Sequence, residues 1–261
     1  MARSHPAVYS VSDIIEHQRQ IEENLAYWNR KPVLREIYRD FHRTLAAYLS
    51  EVPGETVEVG SGIGNIKEVV PGCVRTDIFP NPWIDRREDV YDLTMARSST
   101  SNIILFDVFH HLEFPLDALD QCHRALRDGG RLVIFDHAMS LAGLVFSSLC
   151  HHERKGFLKP YKLRGSRRVD SGYYADHANA DRVLRRRFDE LLGTDWKRIA
   201  LLRFPAIRWA LSGGYRGRDF SAVVPKYLID RGEALLSLVP WLAALRMVVV
   251  LERLPSKGSG L

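Results

Sequence analysis

The chain has 261 residues, of which 46% are hydrophobic and 26% are charged, proportions typical of a globular domain with one sizeable core. Its formal net charge is +5, and its three cysteines lie far apart in the sequence, which excludes a disulfide framework and leads us to expect a cytoplasmic protein. No run reaches the roughly 18–20 apolar residues that cross a bilayer, and the N-terminus lacks the apolar stretch of a secretory signal.

The first fifty residues carry helical patterns. A first helix is predicted from Asp13 onward, and Pro32 interrupts it. A second helix follows, because apolar residues recur after Pro32 at helical spacing. These residues are Val33, Leu34, Ile37, Phe41, Leu45 and Leu49.

From residue 53 onward, short apolar runs alternate with helical patterns and glycine turns. This alternation predicts a parallel sheet that is covered on both faces. The predicted strands are 56–59, 74–78, 102–108, 131–135, 196–202 and 247–251. The predicted helices between them are 63–70, 116–126 and 141–149.

A glycine loop follows the first predicted strand. Gly60, Gly62 and Gly64 stand at every second position, and glycine lets the backbone turn sharply and approach a ligand closely. The dinucleotide fingerprint requires a glycine three positions after its second one, but Asn65 stands there. Glu58 precedes the loop, where it would repel a pyrophosphate. An acid beside the N–H groups of a helix N-terminus suits S-adenosylmethionine, which carries an ammonium, a sulfonium and a carboxylate.

Two aspartates follow the loop at informative separations. Asp77 lies nineteen residues after Glu58 at the end of the second predicted strand, where ribose hydroxyls need an acceptor. Asp92 is followed by Leu93; the carboxylate could accept from an adenine amino group while the leucine packs on the ring. Each aspartate alone is an ordinary turn residue, but together with the loop they favour a cofactor site.

Residues 57–136 resemble class I S-adenosylmethionine-dependent methyltransferases of the small-molecule type, in which a His-His-Leu segment follows the fourth strand. The matching segments are EVGSGIG (58–64), TDI (76–78), DLT (92–94), FDVFHHL (106–112) and ALDQCHRALRDGGRLVIF (118–135). The resemblance implies a Rossmann-like α/β fold. Its seven-stranded sheet would be mostly parallel, with an antiparallel last strand and helices on both faces.

A chain of this length can bury one large core, so we predict one domain over residues 1–261. It would consist of an N-terminal helical segment (1–52), a cofactor-binding core (53–140), substrate-side insertions that include the sixth strand (141–245) and the last strand (246–253).

The resemblance also implies the cofactor contacts. The methionine part would lie among Glu58, Gly60, Ser61, Gly62 and Gly64. Asp77 and Ile78 would face the ribose, Asp92 and Leu93 the adenine, and Phe106 and Asp107 the sulfonium. Similar proteins often have Leu-Pro-Phe where this chain has DLTMAR, which leaves the adenine contacts less defined.

Methyl transfer from a sulfonium needs mainly orientation, and a hydroxyl acceptor also needs a base. Candidate bases at the predicted carboxyl ends of strands four and five are Asp107, His110, His111, Asp136 and His137. We expect His137 or His110 to be the base. His111 recurs in similar sequences whatever their substrate, so a structural role is expected for it.

We predict no metal site. Cys150 to Glu153 reads CHHE, but adjacent histidines on a helix point in different directions and no second ligand cluster stands at a suitable spacing. His177 is interpreted as a loop residue. Residues 154–187 hold eleven Lys and Arg against three Asp, which indicates either an anionic acceptor or an ordinary solvated face.

The predicted function is therefore O-methylation of a small molecule, such as a sugar, a glycan precursor or a secondary metabolite, which could be anionic or phosphate-bearing. One alternative is an RNA methyltransferase, although no RNA-binding module is recognisable. Another is a non-catalytic cofactor-binding or membrane-surface subunit, with residues 141–149 and 234–245 as its apolar contacts.

Overall fold

The computed structural model describes residues 11–150, 161–165 and 174–255. Two helices come first, α1 (Val11–Arg30) and α2 (Pro32–Ala46). Pro32 occupies the first turn of α2, where its missing N–H costs no intrahelical hydrogen bond. The predicted pair of helices is confirmed, and the inner face of α2 is buried through Leu34, Ile37, Tyr38, Phe41, His42 and Leu45.

Within the described part of the chain, seven strands form one sheet in the order β3-β2-β1-β4-β5-β7-β6. Strands β1 to β5 pair in parallel, while β7 runs antiparallel to both β5 and β6. This confirms the predicted Rossmann-like sheet with a reversed last strand. The strands are β1 (Glu55–Val59), β2 (Val74–Asp77), β3 (Arg86–Arg87), β4 (Thr100–Phe106), β5 (Leu126–His137), β6 (Trp196–Phe204) and β7 (Arg246–Arg253).

Helices cover both faces of the sheet, as predicted. Successive residues of β4 enter two separate apolar cores: Ile103 and Leu105 pack on one side and Ile104 on the other, as the two-residue period of a strand requires. The later helices are α3 (Pro115–Ala125), α4 (Leu141–Cys150), α5 (Phe188–Leu191), α6 (Ile207–Ser212), α7 (Lys226–Leu236) and α8 (Pro240–Ala243).

Three predicted elements differ most from the structure. The strand expected over 131–135 spans Leu126–His137, because the helix before it ends at Ala125. The helix expected over 63–70 is only a 3-10 helix, Asn65–Glu68, because Gly64 is left-handed before it and a proline-glycine pair follows it. The strand expected over 102–108 is shifted to Thr100–Phe106. It ends there because Asp107 adopts a φ of 54°, which breaks the extended conformation.

The carboxyl ends of β1, β2, β4 and β5 meet at one edge of the sheet, where open α/β sheets bind their ligands. In the described ranges, no helix is both long and apolar enough to cross a membrane.

Candidate functional site

The glycine loop after β1 needs glycine for two reasons. Gly60, Gly62 and Gly64 have φ values of 80°, 52° and 70°, a region that other residues rarely adopt. In addition, a Cβ atom at Gly60 would lie 2.5 Å from Cγ2 of Val108. The loop therefore packs directly against the end of β4.

The N–H groups of this loop are largely used within the protein. Gly60 and Ser61 both donate to the carbonyl oxygen of Thr76 at 2.9 Å, and Gly64 donates to the carbonyl of Ser61. Gly62 donates to Oδ2 of Asp77 at 3.1 Å. The expectation that a helix N-terminus behind the loop offers its N–H groups to a carboxylate is wrong, because a four-residue 3-10 helix follows.

Glu58 is a buried acid with unused hydrogen-bonding capacity. Its side chain lies behind the loop, 2% exposed, and its Oε2 atom has no hydrogen-bond partner. Burial raises its pKa to about 8. An unpaired buried acceptor is costly, so this atom fits a ligand that brings a cation or a donor.

Asp77 fixes the loop relative to β2. Its carboxylate accepts the N–H groups of Gly62 and Phe79, each at 3.1 Å. The side chain is buried and this raises its pKa, an effect opposed by the nearby ring of His17. Ile78 lies beside it, and its carbonyl accepts from Arg87.

Helix α1 lies across this end of the sheet, a position that the sequence did not predict. Nε2 of His17 is 3.9 Å from Oδ1 of Asp77, and its ring stacks on Phe79 at 4.2 Å. Cδ1 of Ile21 is 3.7 Å from the position that a Cβ of Gly62 would take. A ligand of nucleoside size at the loop therefore requires these α1 side chains to move.

The two residues predicted to contact the adenine differ in how deeply they are buried. Leu93 is 3% exposed and packs in the core on the α3 face of the sheet. Asp92 is half-buried, and its N–H donates to the carbonyl of Asp89. The roles of Asp92 and Leu93 at an adenine stay predictions.

Phe106 is the last residue of β4, and Asp107 is the first residue after it. Phe106 stacks on Phe135 with ring centroids 4.4 Å apart. Asp107 leaves the strand and accepts a 2.6 Å hydrogen bond from Nη1 of Arg246, at the start of β7. Burial raises the pKa of Asp107, an effect opposed by Arg246.

Arg246, which was assigned to the last strand, was not among the predicted site residues. Its side chain is 3% exposed, and the guanidinium lies 4.1 Å from the ring centroid of Trp209. In the sequence, Arg246 directly precedes the apolar run 247–251. A charged residue beside a buried strand indicates that its charge is paired.

The next strand end holds a histidine–carboxylate pair. Oδ1 of the fully buried Asp136 lies 3.0 Å from Nδ1 of His110, and this carboxylate also accepts the backbone N–H groups of His110 and His137. Burial alone would raise the pKa of Asp136, but the His110 ring and the N–H donors hold it below its usual value. This contact orients the His110 ring so that Nδ1 faces the carboxylate of Asp136.

A third histidine, His177, joins this pair and His137. The rings of His137 and His177 stack at 4.2 Å, and those of His110 and His177 are 5.4 Å apart. Backbone contacts fix the third residue, because the N–H of Asp176 donates to the carbonyl of His110 and Nδ2 of Asn179 donates to the carbonyl of Leu112. No sequence spacing connects residues 110, 137 and 177, so our interpretation of His177 as an ordinary loop residue missed this position.

Residues 27–189 match a family described as a methyltransferase domain. The chain belongs to this methyltransferase family. No curated protein matches the methyltransferase significantly.

Solved structures with the same fold support the assignment. A SAM-dependent methyltransferase from Archaeoglobus fulgidus has a TM-score of 0.51 at 12% identity, covering 84% of this chain and 94% of that chain. One from Thermotoga maritima, described as a possible histamine N-methyltransferase, has a TM-score of 0.51 at 12% identity and covers 90% of this chain and 99% of that chain. A geranyl diphosphate C-methyltransferase from Streptomyces coelicolor A3(2), in complex with S-adenosyl-L-homocysteine, has a TM-score of 0.51 at 10% identity and covers 82% of this chain and 79% of that chain. The fold is that of S-adenosylmethionine-dependent enzymes, which supports the predicted cofactor, whereas the acceptors named for these proteins differ.

The basic segment of the methyltransferase is more neutral than its composition indicates. Six of its eleven Lys and Arg residues lie in described ranges, and each forms an ion pair with an acid within 4 Å. They are Lys162, Arg164, Arg182, Arg185, Arg186 and Arg187. For this part of the segment, pairing within the protein favours a structural role over an anion-binding one.

Among the residues that the structure describes, two overlapping groups of side chains could hold a metal ion. The potential ligand atoms of His110, His137 and His177 all lie within 4.8 Å of one another, and so do those of Asp107, His110, Asp136 and His137. The segment that the sequence analysis considered for metal binding, residues 150–153, lies outside the described residues apart from the backbone of Cys150.

Proposed function

We propose that this methyltransferase transfers the methyl group of S-adenosylmethionine to an oxygen atom of a small molecule, such as a sugar, a glycan precursor or a secondary metabolite. One observation carries the proposal. A cluster of histidines and carboxylates, most of them buried, stands at the carboxyl ends of β4 and β5, and Val108, just after β4, lies against the glycine loop. Side chains that can accept a proton therefore lie beside the expected position of the cofactor's sulfonium.

On the cofactor side, the described residues fit the predicted ligand. The buried, unpartnered Oε2 atom of Glu58 would face the ammonium group, and Asp77 would accept from the ribose hydroxyls. Gly60 and Gly62 leave the loop without side chains on the ligand side. When bound, S-adenosylmethionine supplies an electrophilic methyl carbon; the acceptor oxygen forms the new C–O bond while the C–S bond breaks and its electron pair stays on sulfur.

On the acceptor side, the chain must orient a hydroxyl group and receive its proton. His110 and His137 stay our proposed candidates for this step, and the geometry distinguishes them. Asp136 holds Nδ1 of His110, whereas Nδ1 of His137 lies 3.4 Å from the guanidinium of Arg246. A carboxylate stabilises the imidazolium form and a guanidinium opposes it, which favours His110 as the proton acceptor.

The experiment is a transfer assay with S-adenosylmethionine labelled in its methyl group. We expect the label to enter low-molecular-weight hydroxylated compounds in a small-molecule extract, as methyl ethers identified by mass spectrometry. Entry of the label only into RNA, or only at carbon or nitrogen atoms, would contradict the proposal.

The RNA alternative receives little support from the described basic residues of the 154–187 segment, because acids pair with all six of them. Filter binding to RNA over a salt titration separates the two functions. A protein that tracks phosphates loses affinity steeply with salt, and we expect weak binding with a shallow slope.

A second candidate property, contact with a membrane surface, is favoured by exposed apolar side chains in the segments identified from the sequence. Leu235, Leu238 and Trp241 are 68%, 77% and 62% exposed, and Leu141 and Val145 are also exposed. Helix α8 contacts both α4 and α7, so these residues share one region of the surface. Flotation with vesicles of anionic lipid tests this property, and an enzyme that stays entirely in the bottom fraction would exclude it.

A further inference from the structure

Three histidines from three separate segments converge at the acceptor end of the sheet. His110 belongs to the 3-10 helix after β4, His137 ends β5, and His177 lies in the turn at 176–179. Their potential ligand atoms all lie within 4.8 Å of one another. His110 and His177 are 4% and 5% exposed, so these two rings are shielded from solvent, while His137 is half-buried.

The surroundings of His110 match those of a metal ligand. Histidines that bind metals commonly donate their other ring N–H to a carboxylate, which fixes the tautomer and orients the ring. Asp136 stands in that position, 3.0 Å from Nδ1 of His110. This leaves Nε2 as the metal-binding nitrogen of His110.

His177 is held in place by its neighbours rather than by a helix or strand. The N–H of Asp176 donates to the carbonyl of His110 at 2.8 Å, which ties the turn to the segment that carries the first ligand. Nδ2 of Asn179 donates to the carbonyls of Phe109 and Leu112. A preorganised ligand of this kind reduces the entropy that metal binding would otherwise cost.

The charge around the cluster also suits a cation. Two carboxylates, Asp107 and Asp136, face the cluster, while one guanidinium, that of Arg246, pairs with Asp107. The guanidinium of Arg246 also lies 3.4 Å from Nδ1 of His137, which opposes a cation at that atom. The contacts described for Asp136 include no guanidinium, so its carboxylate supplies negative charge beside the cluster.

We propose that His110, His137 and His177 bind one divalent transition-metal ion of the zinc class. Three imidazoles select such ions over Mg²⁺ and Ca²⁺, which prefer oxygen ligands. Three protein ligands leave a coordination position open. This step rests on the proposed function: an acceptor hydroxyl in that position would lose its proton to solvent more readily because the ion lowers its pKa. The three histidines are then ligands of the ion, and His110 is the proton acceptor only in the metal-free protein.

The experiment uses the full-length protein, freed of any histidine tag and treated with a chelator, and titrates it with Zn²⁺ and Co²⁺. We expect one equivalent of each ion to bind, with Co²⁺ giving the visible absorption of a protein-bound ion. His177→Ala should weaken Zn²⁺ binding at least about tenfold, and Asp136→Asn about 10–100-fold, as loss of a carboxylate behind a metal ligand does. Far-UV circular dichroism establishes that each variant is folded, and His137→Gln replaces any variant that is not.

Two controls separate this cluster from other histidines. His123→Ala removes a half-buried histidine on α3 whose ring meets that of Trp196 edge to face. A double variant of His151 and His152 removes the adjacent pair outside the described residues. Both should bind Zn²⁺ as the unaltered protein does. Absence of Zn²⁺ binding, or binding that the double variant loses and His177→Ala retains, overturns the proposal.

The two proposals fail separately. Methyl transfer to an oxygen without any metal binding would overturn only the metal site and leave His110 as the base. Metal binding without methyl transfer would overturn only the proposed function.

Discussion

The glycine-loop end and the histidine end of the site are built in different ways. The first uses residues 58 to 77, a strand, a loop and the next strand, whose hydrogen bonds are mostly made within the segment. The second gathers residues 107, 110, 136, 137, 177 and 246 from five segments. A local motif can be recognised in a sequence, whereas a constellation of this kind exists only after the chain has folded.

The largest expected effect comes from breaking the buried ion pair at the histidine end. Arg246→Met leaves the carboxylate of Asp107, which is 25% exposed, without its partner, and removal of one partner of a fully buried pair costs about 3–5 kcal/mol. Because Asp107 is partly exposed, the free energy of unfolding, measured by urea denaturation, should fall by about 3 kcal/mol, the lower end of that range. The double variant Arg246→Met/Asp107→Asn should regain most of the lost free energy of unfolding, because asparagine carries no charge and tolerates the left-handed backbone at this position. A double variant that is as unstable as the single one would show that the unpaired charge is not the cause.

The next effect concerns the glycine-loop end. Gly62→Arg places a large side chain where φ is 52° and where Ile21 already stands 3.7 Å from the Cβ position. We expect the affinity for S-adenosylmethionine, measured by equilibrium dialysis, to fall about 100-fold, equivalent to about 2.7 kcal/mol. Gly72→Arg is the matched control, since nothing lies within 4 Å of its Cβ position, and equal losses in both variants would move the pocket elsewhere.

Glu58 should reveal a conflict between stability and binding. Its pKa is raised from 4.5 to about 8 by burial in the folded, ligand-free protein, so the folded state holds this proton more tightly than the unfolded state. Stability from this group is complete below 4.5 and is lost as the pH rises toward 8. Glutamine cannot ionise, so above pH 8 the melting temperature of Glu58→Gln should exceed that of the unaltered protein by roughly 2–4 °C for each kcal/mol gained. Below pH 4.5 the two melting temperatures should converge. The variant should also bind S-adenosylmethionine more weakly. A melting difference that does not depend on pH would contradict this view of Glu58.

The smallest effect on stability is expected far from both ends. Leu238→Ser changes a side chain that is 77% exposed, and such surface substitutions usually stay within about 0.5 kcal/mol. The same change should reduce flotation with anionic vesicles. Unchanged flotation, or a large loss of stability, would show that this surface is not the proposed contact.

Prediction from sequence succeeded where the signal was local. The strand at 56–59, its glycines and the buried strands around 103 and 133 carry patterns of period two or continuous apolar runs, and the structure confirms them. The helix expected after the loop was wrong because a left-handed glycine and a proline-glycine pair leave room for only one 3-10 turn.

The rest depended on contacts between distant segments. Nothing in the sequence places α1 over Asp77, pairs Asp107 with Arg246, or brings His177 to His110. Likewise, the count of basic residues at 154–187 could not show that acids from α3, and from the segment itself, pair with many of them.

The most direct test of the central claim is calorimetric titration of the purified protein with S-adenosylmethionine and, separately, with NAD. A glycine loop flanked by Glu58 and Asp77 should give saturable binding of the first ligand at one site and no heat of binding with the second. Binding of NAD, or no binding of S-adenosylmethionine, would contradict it.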